Sequence, residues 1–259
     1  MGRDLREWVV LVTGASSGIG RSAVLEFAKR GSTVVGVARR FEELLKVGEE
    51  AVSAGGRFKA LRCDVSDKEQ VFSVVEETLD EYGRVDVLVN NAGFGLYGEF
   101  KDLSLNEVES QVGVNLMGVL YFIKAVLPHM LKQGFGRIVN VSSVAGFITV
   151  PKMSLYCGVK SALIALSRGL DMELKKHNIR VSAVCPGPVD TPFFNNPSFS
   201  SRGGRPIGPM TKPEKVAKTI VSAAEKGSRV KVVPPYYWPA VYLLNTMPFM
   251  YRLVERLPP

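Results

Sequence analysis

Tyr156 and Lys160 stand four residues apart in the run Tyr156-Cys157-Gly158-Val159-Lys160, so on a helix the phenol and the ammonium share one face. Reducing a ketone takes a proton for the oxygen as a hydride reaches the carbon. A phenol with a pKa of about 10 gives that proton up reluctantly unless a neighbouring ammonium favours the phenolate. Alone such a pair also fits a solvated helix face; joined to a hydride carrier, it suits proton transfer at a carbonyl or an alcohol. Near the start of the chain, Thr13-Gly14-Ala15-Ser16-Ser17-Gly18-Ile19-Gly20 follows a short apolar run and leads into a helical pattern. A dinucleotide pyrophosphate can lie there against backbone N–H groups at the helix N-terminus, and glycines are needed because a Cβ would hold it away. The spacing of Gly14, Gly18 and Gly20 is G-x3-G-x-G, not G-x-G-x-x-G.

About twenty residues further on, an NAD site offers an acid to the adenosine ribose, whereas an NADP site places arginine near the 2′-phosphate. Here the next strand ends Val37-Ala38-Arg39-Arg40. No carboxylate is present to repel the phosphate, and Arg39 can engage its oxygens through a planar fork, so the cofactor expected is NADP(H).

These groups need a scaffold. Apolar, β-branched runs at 8–12, 33–38, 58–63, 85–89, 137–141, 180–184 and 230–233 read as strands. Between them, 19–30, 42–54, 67–82, 104–132, 156–176 and 213–226 read as helices, with Gly31 and Gly83 as stops. The alternation predicts an α/β fold with a doubly wound parallel sheet covered on both faces. No repeat or linker divides the chain, so residues 1–259 are expected to form one domain. Asn90-Asn91-Ala92-Gly93, Ser142-Ser143-Val144-Ala145-Gly146 and the tyrosine helix all fall at or just beyond carboxyl ends of strands, the edge where such sheets bind ligands.

Taken in order, TGASSGIG, NNAG, a serine thirteen residues before YxxxK, and PGPVDT resemble the short-chain dehydrogenase/reductase family over roughly residues 8–192, and more weakly to about 233. The resemblance implies a Rossmann-type sheet of seven strands, with Asn115, Ser143, Tyr156 and Lys160 matching the family's catalytic tetrad. In that pattern Ser143 orients the substrate oxygen, Lys160 tunes the phenol and reaches the cofactor ribose, and Asn115 positions a water that relays protons to the lysine. Asp64, with Val65, resembles the contact to the adenine ring. Its other reading is a cap before Ser66-Asp67. Asn90 belongs to the cofactor-side motif, and Val189 and Thr191 match the segment that holds the carboxamide. The family resemblance also implies dimers or tetramers.

Composition narrows the rest. The chain has 259 residues, 46% hydrophobic and 22% charged, which is ordinary for a soluble globular protein. Cys63, Cys157 and Cys185 have neither disulfide nor zinc spacing, and His129 and His177 lie far apart, so no metal is expected and a reducing, cytoplasmic setting is favoured. The net charge of +8 suits a phosphorylated cofactor, but no basic run interleaved with stacking aromatics points to nucleic acid. The N-terminus lacks the long apolar region and cleavage site of a signal peptide, and Arg-Asp-Leu-Arg after Gly2 does not fit myristoylation.

Two stretches stand outside the alternation. Residues 192–212 form the expected substrate lid, where Phe193, Phe194 and Phe199 suggest a lipophilic ketone, aldehyde or secondary alcohol. Arg202, Arg205 and Lys212 in the same stretch fit instead the phosphate of an acyl-carrier or CoA thioester, which makes a 3-oxoacyl thioester reductase the rival reading. A non-catalytic NADP-binding regulator is a further class, disfavoured because binding alone needs no tuned acid. The apolar tail, 234–259, lies in a region without charge from Val232 to Tyr251. Pro234, Pro235, Pro239 and Pro248 interrupt any long helix, leaving a pocket cover, a subunit contact or a peripheral membrane surface ahead of a span.

Overall fold

A computed structural model of the chain describes residues 5–206, 208–247, 249 and 252. Pro248, Tyr251 and most of the tail beyond them lie outside the described residues, as does the segment around Gly2.

Seven strands make one parallel sheet: β1 (Val9–Thr13), β2 (Thr33–Ala38), β3 (Arg57–Arg62), β4 (Val87–Asn90), β5 (Gly136–Val141), β6 (Ile179–Pro186) and β7 (Val230–Val233). Their spatial order is β3-β2-β1-β4-β5-β6-β7, so the chain reverses its direction of winding between β1 and β4. All of β1 and β2 is buried, as expected for central strands covered on both faces, which read as continuous apolar runs. Edge strand β3 instead alternates exposed or half-buried cations with apolar residues, a pattern that blunts pairing with another chain.

Successive side chains of β1 feed two separate cores. Val10 and Val12 pack on one face with α1 (Gly18–Ala28), α2 (Phe41–Ser53) and α8 (Pro213–Lys226), through Phe27, Leu44 and Ile220. Val9 and Leu11 face α3 (Lys68–Tyr82), α5 (Gly118–Gln133) and α6 (Ser154–Leu174), through Val71, Phe122 and Leu163. Helix ends follow local chemistry. Asp67 caps α3 by accepting from Gln70 N–H, and Gly83 ends it in the left-handed region. Ser104 and Glu107 form a reciprocal capping box at the start of α4 (Leu105–Val112).

The continuous helix expected over 104–132 is broken. After α4 the chain widens into a π-helical turn, Gly113–Met117, before α5 begins. Asn115 sits inside that turn, fully buried, where an added residue re-aims a side chain without ending the helix. Among the described residues, Leu105–Gln133 is the one helical stretch long and apolar enough to cross a membrane, and half of its most apolar window is packed inside the protein. The 192–212 segment holds a short helical turn at Pro192–Asn195 and then α7 (Pro197–Ser201). In the tail, α9 (Trp238–Thr246) has nine residues, about 14 Å of helix and far short of a bilayer.

Candidate active site

The reversal between β1 and β4 opens a crevice at their carboxyl ends, and the glycine loop and Asn90-Asn91-Ala92-Gly93 meet there. Thr13 joins them: its hydroxyl accepts from the N–H groups of Asn91 and Ala92, each at 3.0 Å. The Asn91 amide donates to the carbonyls of Thr13 and Gly14 at 3.0 and 3.3 Å, tying the loop to β4. A Cβ on Gly20 would stand 2.2 Å from the Gly14 oxygen, and one on Gly18, at φ +54°, would stand 3.1 Å from the Thr191 side chain. The loop is drawn tight at the α1 N-terminus with its backbone accessible, a cradle that side chains would fill, so the residues present fit a dinucleotide. Ile19 packs partly into the first core, leaving the turn's backbone toward the crevice.

Beside this loop, Arg40 reaches back and donates to the hydroxyls of Ser16 at 3.3 Å and Ser17 at 2.6 Å. Arg39 extends on the other side to Asp64, 3.5 Å from its carboxylate. The Asp64 carboxyl also accepts from the Ser66 N–H and hydroxyl. Burial pulls the Asp64 pKa up, but the Ser66 hydrogen bonds and the Arg39 charge outweigh it and hold the group below its ordinary value. Both arginines thus flank the glycine loop at the end of β2, and Arg40, not Arg39, is the one seated on the serines. Val65 is buried with its carbonyl against the start of α5.

Asn90, at the end of β4, is buried. Its amide donates to Asn140 in β5 at 2.9 Å, and Asn140 in turn donates to Ser167 in α6 at 2.9 Å. This buried ladder runs from the crevice strand to the helix that carries Tyr156 and Lys160, seven residues before Ser167. Asn140, Ser167, Thr13 and Asn91 went unselected in the sequence reading. Thr13 and Asn91 stand inside motifs that carry a signal in the sequence, whereas Asn140 and Ser167 meet only through contacts distant in sequence.

At the neighbouring edge, the four residues expected to act together do converge. Gly93 marks the meeting point: a Cβ there would lie 3.1 Å from the Asn115 amide oxygen and 3.6 Å from the Lys160 ammonium. Asn115 is held by the Phe94 backbone, accepting from its N–H at 3.0 Å and donating to its carbonyl at 2.7 Å. Lys160 is 5% exposed, donates to the Val141 carbonyl at 2.9 Å and lies 5.7 Å from the Tyr156 ring centroid. Burial brings its pKa down to about 8. Ser143 accepts from Ala145 N–H at 3.1 Å and hydrogen-bonds the Tyr156 phenol.

The phenol itself departs from expectation. Burial pushes the Tyr156 pKa above its ordinary value, and the Ser143 hydrogen bond offsets only part of this. The lysine does not reverse the balance: its ammonium donates to the Val141 carbonyl and is itself discouraged by burial. The lid packs against the phenol: Phe193 lies 5.5 Å from the Tyr156 ring, with Phe194 edge-on to Phe193 at 5.2 Å and Phe199 tilted against it at 5.8 Å. Arg202 fastens the lid by donating to the Tyr97 carbonyl at 3.1 Å and pairing with Glu107 at 3.4 Å. Val189 is buried and bridges to Thr211, while Thr191 caps the turn that presents Phe193.

A phosphate-ready glycine loop and a Tyr-Lys-Ser-Asn cluster on adjacent strand ends define a nicotinamide-dependent oxidoreductase with a Rossmann-type sheet. The family model for short chain dehydrogenases matches residues 8–199, and the chain belongs to that family. It is 35% identical to an uncharacterized oxidoreductase of Staphylococcus saprophyticus over 88% of this chain and 96% of that one. It is 37% identical to the 3-oxoacyl-[acyl-carrier-protein] reductase of Thermotoga maritima over 85% and 91%. Among solved structures, a short-chain dehydrogenase/reductase from Burkholderia phymatum in complex with NAD superposes with a TM-score of 0.87 at 25% identity, covering 99% and 98%. Levodione reductase superposes with a TM-score of 0.81 at 26% identity, covering 88% and 96%.

Proposed function

We propose that the protein is an NADP(H)-dependent reductase of lipophilic ketones or aldehydes, able to run the reverse oxidation of secondary alcohols, with Tyr156 as the proton-transferring residue. The convergence of Tyr156, Lys160, Ser143 and Asn115 at the crevice carries this reading. Bound nicotinamide supplies the hydride. Tyr156, kept protonated by burial, donates to the carbonyl oxygen, and Ser143 holds that oxygen in place. Lys160, with a pKa near 8, restores the phenolic proton, and Asn115, which meets the lysine beside Gly93, positions the relaying water. Gly14, Gly18 and Gly20 would hold the pyrophosphate, Asp64 and Val65 would border the adenine ring, and Val189 and Thr191 would hold the carboxamide.

The preference for NADP(H) over NAD(H) rests on Arg40 and Arg39, two guanidinium groups at the end of β2 with Ser16 and Ser17 as further donors. The NAD in the Burkholderia relative's complex is the competing outcome. The aromatic lid over Tyr156 favours a lipophilic substrate. A 3-oxoacyl thioester is the second reading, favoured by the Thermotoga relative's activity. Residues 1–259 act as one domain, in the cytoplasm, as a homodimer or homotetramer. Absorbance of NADPH and NADH with a panel of ketones, aldehydes, steroids and acetoacetyl-CoA tests the proposal. Turnover of apolar ketones with NADPH at a kcat/KM at least tenfold above that with NADH is expected. Turnover confined to acyl thioesters selects the second reading, and an NADH preference removes the role given to the arginines.

A further inference from the structure

The tail presents a surface that the chemistry above does not use. A helix apolar on all sides is ordinarily buried. Yet α9 carries no charge and buries only Val241, leaving Tyr242 71% exposed and Leu243 38% exposed. Tyr236, Met247 and Phe249 continue the exposed apolar surface on either side. The helix is nonetheless anchored. Trp238 packs 5.9 Å from Phe147, and the Asn245 amide donates to the Phe147 carbonyl at 3.2 Å. Phe147 follows Ser143 by four residues, so the anchored side of the helix lies against the segment that leaves the catalytic crevice.

Next to it lies an open cavity of about 670 Å³ lined by Tyr236 together with Lys212, Lys215, Lys218 and Glu214. Three ammonium groups face one carboxylate there, and all four side chains are exposed. Aromatic and aliphatic side chains beside a row of lysines match the two demands of an anionic bilayer, whose headgroup zone takes amphipathic rings and whose phosphates take cations. The lysine row argues against a purely apolar occupant.

We propose that this face docks on an anionic lipid surface. α9 lies in the plane of the interface with Tyr242, Leu243 and Met247 entering the boundary, while Lys212, Lys215 and Lys218 contact lipid phosphates. Docking brings the crevice toward the bilayer, where a lipophilic carbonyl compound is most concentrated. That last consequence rests on the substrate class proposed above; the docking does not.

Co-sedimentation of the full chain with vesicles tests it. Binding to phosphatidylcholine mixed with phosphatidylglycerol is expected, at least tenfold tighter than to phosphatidylcholine alone and weakened by salt, since each lysine near such a surface contributes about fivefold. Trp238 emission should shift to the blue on binding, with Trp8 silent because it is buried in the core. K215Q with K218Q should weaken binding at least tenfold, as should Tyr242→Ser with Leu243→Ser, both keeping wild-type turnover of a water-soluble carbonyl. Failure to bind anionic vesicles would overturn the proposal, as would undiminished binding by both variants. Oligomers that fall apart in the Tyr242→Ser, Leu243→Ser variant without any vesicle binding would instead assign the face to a second copy of the chain. Because vesicle binding is read without substrate, its failure is distinct from failure of the catalytic assignment.

Discussion

Lys160 is a charged group carried into the interior with one direct hydrogen bond, to Val141, and its pKa near 8 records the cost. The sign of the resulting pH dependence follows from linkage. Between about 8 and the ordinary lysine value of 10.5 the unfolded chain holds a proton that the folded chain has released, so stability rises with pH across that window. Below 8 both states are protonated and the full penalty applies. Lys160→Met should therefore raise stability at pH 7 by roughly 1–3 kcal/mol in a denaturant titration while removing turnover. Catalysis moves the other way. If Lys160 resupplies the phenolic proton, kcat/KM for carbonyl reduction falls as pH rises through about 8, and a profile flat from neutrality to pH 10 contradicts the relay. The identity of these residues was legible because Tyr and Lys stand one helical turn apart and Ser143 a fixed distance before them. The upward shift of the phenol was not, since it comes from burial in the folded protein, where partners such as Phe193, thirty-seven residues on, meet the ring.

At the scale of elements, two local geometries decide whether cofactor and catalyst are in place. The turn at the α1 N-terminus requires Gly18 at φ +54° beside Thr191. Gly18→Ala should cost about 1–2 kcal/mol in stability from the left-handed backbone alone. It should also weaken NADPH binding at least tenfold by fluorescence titration, because the added methyl presses on the segment carrying Thr191. Unchanged affinity would remove Gly18 from the cradle. The π-helical turn at Gly113–Met117 does the same service for Asn115. Strands and helices were legible to within a few residues because parallel strands are continuously apolar and the helix stops are glycines. The π turn was not legible: its single wider turn leaves the apolar periodicity of 104–132 nearly unchanged, so the sequence reads as one helix. Arg40 illustrates a different gap. Two adjacent arginines end β2, and which of them turns back to Ser16 and Ser17 depends on the start of α2, not on residue type.

Across the whole molecule, stability and function draw on contacts that join distant parts of the chain. Asp171 in α6 is fully buried and ties together the sheet's far side. It pairs with Arg180 at 2.7 Å and Arg229 at 3.1 Å and accepts from the Val181 N–H. Burial alone would raise its pKa, yet the Arg180 hydrogen bonds and the other contacts hold it below the ordinary carboxylate value. The stabilisation is present above the ordinary carboxylate range and is lost as pH falls through the lowered value. Asp171→Ala should cost about 3–5 kcal/mol, since it strands the Arg180 guanidinium, and a loss below 1 kcal/mol would show the network to be dispensable. Neither this network nor the Asn90-Asn140-Ser167 ladder was visible beforehand, because polar residues in separate elements carry no shared periodicity. Turnover hinges on one phenol, so Tyr156→Phe is the decisive variant, with turnover of a carbonyl substrate and NADPH affinity measured on the same preparation. A fall in kcat of at least about a hundredfold with NADPH affinity within a few-fold of wild type is predicted; a variant that turns over at the wild-type rate contradicts the account.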